Sequence, residues 1–445
     1  MFAYPTRPIA RALVTAVMPF ALTACVTVMR TVHPPSSRAE LRHLVDSLTT
    51  QPEFRNAQWG VLIVNPRTGD TLYSKNAGKL FMPASNMKII TGAVALTLLG
   101  PDYTYKTTFL TNGEVHSGLL DGDLLVIGRG DPTVSDRMRV LATTVMDALA
   151  DSVRAHGIRQ IGGSIARVGN AFPDSIYGYG WEWDDLGEYY GAGVDELIFN
   201  EGMAPTTLRP PPDTVRDSLY SGPAKDPARA YLDALKDAFV RKGIKLDAGV
   251  RDSILPTPMK MDTLFVFTSL PLRDILPALM KKSQNQIAEI MLRTIGLERA
   301  GLGTADTARK IVGQQLLAWG VQPDGFLIRD GSGLSDNDLL TPETIVRVLD
   351  RIQRDTAFAA FYNAMPIAGV DGTLDKRMKG TPAEGNVRAK TGTLAKARNL
   401  SGYVTSADGE RLIFSVLANN TTTPGTMVTN VADQIGAALA TYRGR

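Results

Sequence analysis

The sequence predicts a mixed α/β (α+β) protein: a core of helices and antiparallel sheet, split by a large insert. Apolar residues recur at helical spacing over several stretches. Three strand-like runs follow one another near the carboxyl terminus and lead into an amphipathic segment. Between about 105 and 262 the texture changes to short runs broken by Asn-Gly and Asp-Gly turns. We therefore assign 25–104 and 263–445 to one split core, 105–262 to one or two inserted domains, and 1–24 to a leader.

In chain order, Leu41, Leu44, Val45 and Leu48 mark a first helix. Trp59 to Asn65 and Thr71 to Lys75 make a hairpin around Pro66-Arg67-Thr68-Gly69-Asp70. A second helix follows from about Ser85, with Ile89, Ala93, Leu96 and Leu99 as its apolar side. In the insert, Lys106 to Leu110 and Leu124 to Ile127 read as strands. Met138, Leu141, Val145, Leu149 and Val153 read as a helix, and so does Asp226 to Lys242. Trp181 and Trp183 stand at i, i+2 and are expected to pack on one face of a strand. Leu264 to Phe267 reads as the first core strand after the insert. Helices are expected over Pro271 to Lys282, Ile287 to Ile295 and Thr304 to Trp319. Strands over Arg388 to Thr393, Ser401 to Thr405 and Leu412 to Ala418 precede a closing helix from Thr426 to Tyr442.

The net charge of +3 over 445 residues, with Lys and Arg dispersed, gives nucleic-acid binding no support. Arg7 and Arg11 precede an apolar run from Ala12 to Leu22, the length of a signal-peptide core and too short for a stable membrane span. Leu22-Thr23-Ala24-Cys25 resembles a bacterial lipobox, which makes Cys25 a candidate lipidation site; a plain secretory signal is the simpler alternative, and either one exports the protein. Cys25 is the only cysteine, so an intrachain disulfide, a multi-cysteine metal site and a thiol nucleophile in the folded body are all excluded.

The chemistry is carried by three short motifs. Ser85-Asn86-Met87-Lys88 is the only Ser-x-x-Lys in the chain. At a helix start that spacing puts Ser85 and Lys88 on one face, one turn apart. A serine there sits near the positive end of the helix dipole, and a desolvated lysine can be neutral and take its proton. A serine cap beside a surface lysine would share the same spacing. Ser283-Gln284-Asn285 lies between two helices, where a hydroxyl and an amide can face a cleft together, although Ser and Asn also favour ordinary turns. Ser-x-Asn occurs also at Ser74-Lys75-Asn76, on the hairpin and before Ser85, and at Ser335-Asp336-Asn337, which has the right order and is the competing choice. Lys390-Thr391-Gly392-Thr393 sits on a strand that can dock a peptide by β-addition. There Lys390 would meet a carboxylate, and Gly392 would let substrate backbone come close.

In that order the three motifs resemble the signature of penicillin-binding proteins and serine β-lactamases. The long gap between Ser85 and Ser283 narrows the resemblance. So do Val126-Ile127-Gly128-Arg129-Gly130-Asp131-Pro132-Thr133, Gly180-Trp181-Glu182-Trp183-Asp184-Asp185, Arg329-Asp330-Gly331-Ser332-Gly333-Leu334-Ser335 and Pro366 to Leu374. Together they resemble the D-alanyl-D-alanine carboxypeptidase/endopeptidase group, the class C low-molecular-mass penicillin-binding proteins (peptidase S13). The resemblance implies a transpeptidase-like core of α/β/α layers and a serine DD-peptidase acting on peptidoglycan stem peptides, with β-lactams as covalent inhibitors and neither cofactor nor metal. It implies Ser85 as nucleophile and Lys88 as base. Ser283 would relay a proton, Asn285 would orient Lys88 and the substrate amide, and Lys390 and Thr391 would hold the substrate carboxylate. The N–H groups of Ser85 and Thr393 would form the oxyanion hole. The lipobox-like start departs from that group's usual pattern.

A Ser-His-Asp hydrolase is disfavoured. The four histidines, His33, His43, His116 and His156, lie away from the carboxyl-terminal motifs, and no Gly-x-Ser-x-Gly is present. The same scarcity argues against a zinc peptidase. A serine β-lactamase and a non-catalytic cell-wall or penicillin-binding protein remain as alternative readings.

Overall fold

The computed structural model describes residues 35–139, 141–205, 220–251 and 260–444. The expected leader and Cys25 lie outside the described residues. Numbering the core elements alone, helix α1 (Arg38–Thr49) starts at Ser37, whose side chain accepts from the Glu40 N–H. Strands β1 (Gln58–Asn65) and β2 (Asp70–Lys75) form the expected hairpin. Helix α2 (Met87–Leu99) follows, then the insert, then α3 (Leu272–Lys281), α4 (Asn285–Ala300), α5 (Ala305–Ala318), α6 (Pro342–Ile352) and α7 (Phe358–Ala364). Strands β3 (Arg388–Leu394), β4 (Ala397–Thr405) and β5 (Arg411–Asn419) and helix α8 (Gly425–Thr441) complete the core.

The five strands form one antiparallel sheet in the order β3-β4-β5-β1-β2. The β1–β5 pairing, from Gln58 opposite Asn419 to Val64 opposite Ile413, joins the two halves of the split core. Side-chain alternation gives the sheet two apolar faces. Val61, Ile63, Phe414 and Val416 pack with Leu41 and Val45 of α1 and with Val431 and Ile435 of α8. Leu62, Ile413 and Leu417 pack with Ile90, Leu279, Met291, Ile345 and Leu349 from α2, α3, α4 and α6. Helices on both faces give the α/β/α layering that the resemblance implied. Met87 to Leu96 of α2 are all buried, Lys88 among them, so this helix lies in the middle of its layer and not at the surface.

The insert has its own sheets and an apolar cluster built on two packed helices, Ala142–Ala155 and Pro227–Lys242. Its first strand, Lys106–Thr111, pairs with Leu124–Ile127 on one side. On the other side it pairs with Asp262–Thr268, from Asp262 opposite Thr111 to Thr268 opposite Lys106. The strand expected to reopen the core at about 263 therefore closes the insert. Alternation in Leu264 to Phe267 gave its conformation; its place came from partners such as Phe109, whose ring stacks on Phe265 at 4.5 Å. The expected strand at Trp181 and Trp183 is absent. Gly180 has φ +77°, Trp181 turns inward, and Trp183 is 86% exposed. The helix expected from Met138 begins only at Ala142, where the Asp136 carboxylate accepts the Ala142 N–H at 2.6 Å. No helix among the described residues is long and apolar enough to cross a membrane.

Candidate active site

Ser85 lies in a single 3₁₀ turn, Ala84–Asn86, that leads straight into α2. Its N–H is thus among the unpaired donors at the positive end of that helix. The turn is fixed from the sheet side. Asn86 Nδ2 donates to the Lys390 carbonyl at 3.1 Å, Asn399 Nδ2 donates to the carbonyls of Met82 and Pro83, and the Met82 N–H donates to Asn419 Oδ1. These amides set the distance between the Ser85 turn and β3.

One turn on, Lys88 Nζ donates to Ser85 Oγ at 3.0 Å, Asn285 Oδ1 at 2.6 Å and the Ser332 carbonyl at 2.7 Å. All three partners are neutral oxygens. Burial pushes the Lys88 amine down to about 7, against the pull of the carboxylates of Asp330, Glu289 and Asp338. On the opposite wall Lys390 Nζ donates to Ser283 Oγ at 2.9 Å and to the Thr391 carbonyl at 3.0 Å. Burial, then the charge of Lys88, holds Lys390 well below the usual lysine range. Ser283 has φ +59°, a left-handed conformation uncommon for a serine, where α3 gives way to α4. Asn285 is the first residue of α4. The two motif side chains therefore project from a tight corner, one toward Lys390 and the other toward Lys88.

Ser85, Ser283, Asn285, Thr391 and Thr393 line a cleft of about 650 Å³. Carboxylates of Glu182, Asp184, Asp185 and Asp336 stand around it with the cations Lys282 and Arg398. A somewhat larger hollow of about 720 Å³ beside β1, β2 and α6 contains none of the motif residues. Ser335 and Asn337, the competing pair, are turned elsewhere: Ser335 is buried, and its Oγ accepts the Asn337 N–H at 3.2 Å. At Gly392 a Cβ would meet the Pro83 carbonyl at 2.6 Å and Asn86 Nδ2 at 2.9 Å, so its missing side chain admits the Ser85 turn.

The residues that sequence reasoning left without a role form a buried polar nest behind Lys88. Asp330 accepts from the N–H groups of Ser332, Gly333 and Ser335, from Ser332 Oγ, and from the indole N–H of Trp181 at 2.9 Å. Glu289 accepts from the N–H groups of Gly331 and Ser332, both at 2.9 Å. Burial, then the charge of Asp330, raises Glu289 to about 7 and Asp338 well above the usual carboxylate range. The loop so held aims the Ser332 carbonyl at Lys88. Its glycine-rich sequence was visible, but nothing in it showed which carbonyl would matter.

The model of the D-Ala-D-Ala carboxypeptidase 3 (S13) family matches residues 41–222 and 212–442. A D-alanyl-D-alanine carboxypeptidase of Actinomadura sp. (strain R39) is 31% identical over 91% of this chain and 85% of its own length. The D-alanyl-D-alanine carboxypeptidase DacB of Haemophilus influenzae is 27% identical over 85% and 88%. Among solved structures, penicillin binding protein 4 (dacB) of Haemophilus influenzae superposes with a TM-score of 0.78 at 24% identity, over 89% of this chain and 99% of that one. The Bd0816 predatory endopeptidase of Bdellovibrio bacteriovorus superposes with a TM-score of 0.57 at 19% identity, over 87% and 96%. The layered core with its insert is therefore a fold already seen in these structures, and the chain belongs to the D-Ala-D-Ala carboxypeptidase 3 (S13) family of serine-type peptidases.

Proposed function

We propose that this serine-type DD-peptidase cleaves the bond between two D-amino acids of peptidoglycan stem peptides through an acyl-enzyme on Ser85. The observation that carries the reading is Lys88 Nζ, fully buried and 3.0 Å from Ser85 Oγ, with an ordinary value lowered to about 7. In its neutral form Lys88 takes the Ser85 proton as Oγ attacks the carbonyl carbon. The N–H groups of Ser85 and Thr393 receive the oxyanion. Lys390 and Thr391 hold the substrate carboxylate or its neighbour. Because Lys390 donates to Ser283 Oγ, the Ser283 proton is free to point at the leaving amine. Ser283 gives that proton to the leaving nitrogen, and the proton Lys88 took from Ser85 restores the Ser283 hydroxyl, so the amine leaves neutral and Lys88 is neutral again. Water then attacks the ester, giving its proton through the same groups, and frees Ser85. Asn285 keeps Lys88 and the substrate amide in place.

A β-lactam presents its strained amide to the same serine. The Haemophilus protein has been crystallised with a β-lactam, and Bd3459 of Bdellovibrio in a penicillin G-acylated form. Purified protein incubated with a fluorescent penicillin is expected to carry a covalent label that Ser85→Ala abolishes. No label on folded wild-type protein would overturn the reading in favour of a non-catalytic wall-binding protein. A label that survives Ser85→Ala would move the nucleophile elsewhere, and rapid release of hydrolysed drug would point to a β-lactamase. Digestion of purified muropeptides then separates loss of a terminal D-alanine from opening of cross-links. The substrate lies outside the cytoplasmic membrane, so the reading includes export through the leader at 1–24, with Cys25 as lipid anchor. Loss of labelled palmitate and of membrane attachment in Cys25→Ala checks the anchor.

A further inference from the structure

The two oxygens that accept from Lys88 besides Ser85 Oγ are both tied to the insert. Asn285 has one amide oxygen and one amide nitrogen. Its Oδ1 accepts from Lys88 because its Nδ2 is engaged by the Tyr190 carbonyl at 2.9 Å. The next residue, Gln286, donates to the carbonyls of Tyr189 at 3.0 Å and Ala192 at 3.2 Å, which fixes the first turn of α4 to the same segment. The other oxygen, the Ser332 carbonyl, is aimed by Asp330, and Asp330 accepts the indole N–H of Trp181. Trp181, Tyr189, Tyr190 and Ala192 all belong to the insert, and they reach Lys88 along two separate routes.

We propose that the segment from Trp181 to Ala192 is a positioning element for the catalytic amine, with Trp181 acting on Lys88 through Asp330. The insert thus completes the site it interrupts. The charged groups facing Lys88 are Glu289 from α4, Asp330 and Asp338 from the loop before α6, and Lys390 from β3. Of the three carboxylates, Asp330 is the one on which Trp181 donates. Removing the indole N–H leaves the Asp330 charge less neutralised, so it holds the Lys88 ammonium more firmly. Removing the Asp330 charge releases that ammonium. The two changes should therefore move the protonation of Lys88 in opposite directions.

The inference rests on Lys88 as the base, and one set of variants separates the two readings. The second-order rate of acylation by a fluorescent penicillin is measured from about pH 5 to 9, roughly two units either side of the value of about 7 for Lys88. Trp181→Phe keeps the ring and loses the donor. Its rate near neutrality should fall about tenfold, the size of one buried hydrogen bond to a charged group written as a rate. Its acidic limb should move to higher pH, with the thermal midpoint lowered by a few degrees at most. Asp330→Asn keeps the shape and should move the limb to lower pH. A merely structural Trp181 would lower the midpoint and scale the profile without moving it. A Trp181→Phe profile that superposes on wild type would overturn the inference even if Asp330→Asn fails to fold, and so would two folded variants that move the limb the same way. Lys88→Met that labels like wild type would overturn the base assignment itself; a silent Lys88→Met beside an unmoved Trp181→Phe would overturn this inference alone.

Discussion

Lys88 is buried among neutral oxygens, and the carboxylates that favour its charge stand behind them. Burial wins, and the amine titrates near 7 instead of near its ordinary 10.5. An ammonium can fill all three hydrogen bonds, but only the amine has a lone pair for the Ser85 proton. Acylation should therefore rise with pH as Lys88 loses its proton, with the midpoint of the rise near 7, and level off above it. A stopped-flow profile that is flat from pH 5 to 9, roughly the window around that value, would exclude Lys88 as the titrating base. Lys88→Arg should lose at least ~10³-fold, because a guanidinium keeps its proton throughout. Ser283→Ala should slow acylation by about 10²-fold, the usual size of one proton relay. The residue types and their spacing made this pairing readable in the sequence. The oxygen of Ser332 was not readable, because a carbonyl has no residue identity and only the fold of the Asp330 loop aims it.

At the level of elements, the site is a junction of one helix start, one helix–helix corner and one edge strand. The Ser85 turn and β3 approach so closely that only glycine fits at 392. Gly392→Ala would press a methyl on the Pro83 carbonyl and on Asn86 Nδ2, at an overpacking cost of about 1–3 kcal/mol. We expect a drop of more than tenfold in penicillin labelling, at a thermal midpoint only a few degrees lower, because the strain falls on the Ser85 turn. Unchanged labelling combined with weaker binding of a D-Ala-D-Ala peptide would instead favour the substrate-facing role of Gly392. Helical and strand periodicities made most core elements legible, including α1, α2, the β1–β2 hairpin and β3 to β5. The strand expected at Trp181 failed because i, i+2 spacing takes no account of Gly180, whose positive φ breaks the extended run. Ser283 was legible as a turn residue, but its left-handed conformation, at a position that is not a glycine, gave no local signal.

The whole molecule is a split core whose insert is packed into it. The change of texture near 105 falls beside Lys106–Thr111, and Asp262–Thr268, expected to belong with the core, pairs with that strand. Alternation identifies a strand; it cannot say which sheet supplies its neighbours. Nor does composition show how deeply the two parts share a core. Phe172, Val194 and Ile198 of the insert lie in the same buried cluster as Ile290 and Met291 of α4. Arg293, 1% exposed, donates from Nε to Asp174 Oδ1 at 3.1 Å and from Nη2 to the Ser175 carbonyl at 2.5 Å. Removing the insert would strand that cation in the core, and an uncompensated buried charge costs about 3–5 kcal/mol. Insert and core should therefore unfold together. Trp59 and Trp319 report on the core and Trp181 and Trp183 on the insert, so urea titrations of variants keeping one pair or the other should give coincident midpoints. Asp174→Ala should lower both midpoints together, by about 3 kcal/mol in unfolding free energy. If the insert pair melted first and left the core pair native and still labelled by penicillin, the insert would be an independent domain, and the site would not depend on it for its assembly.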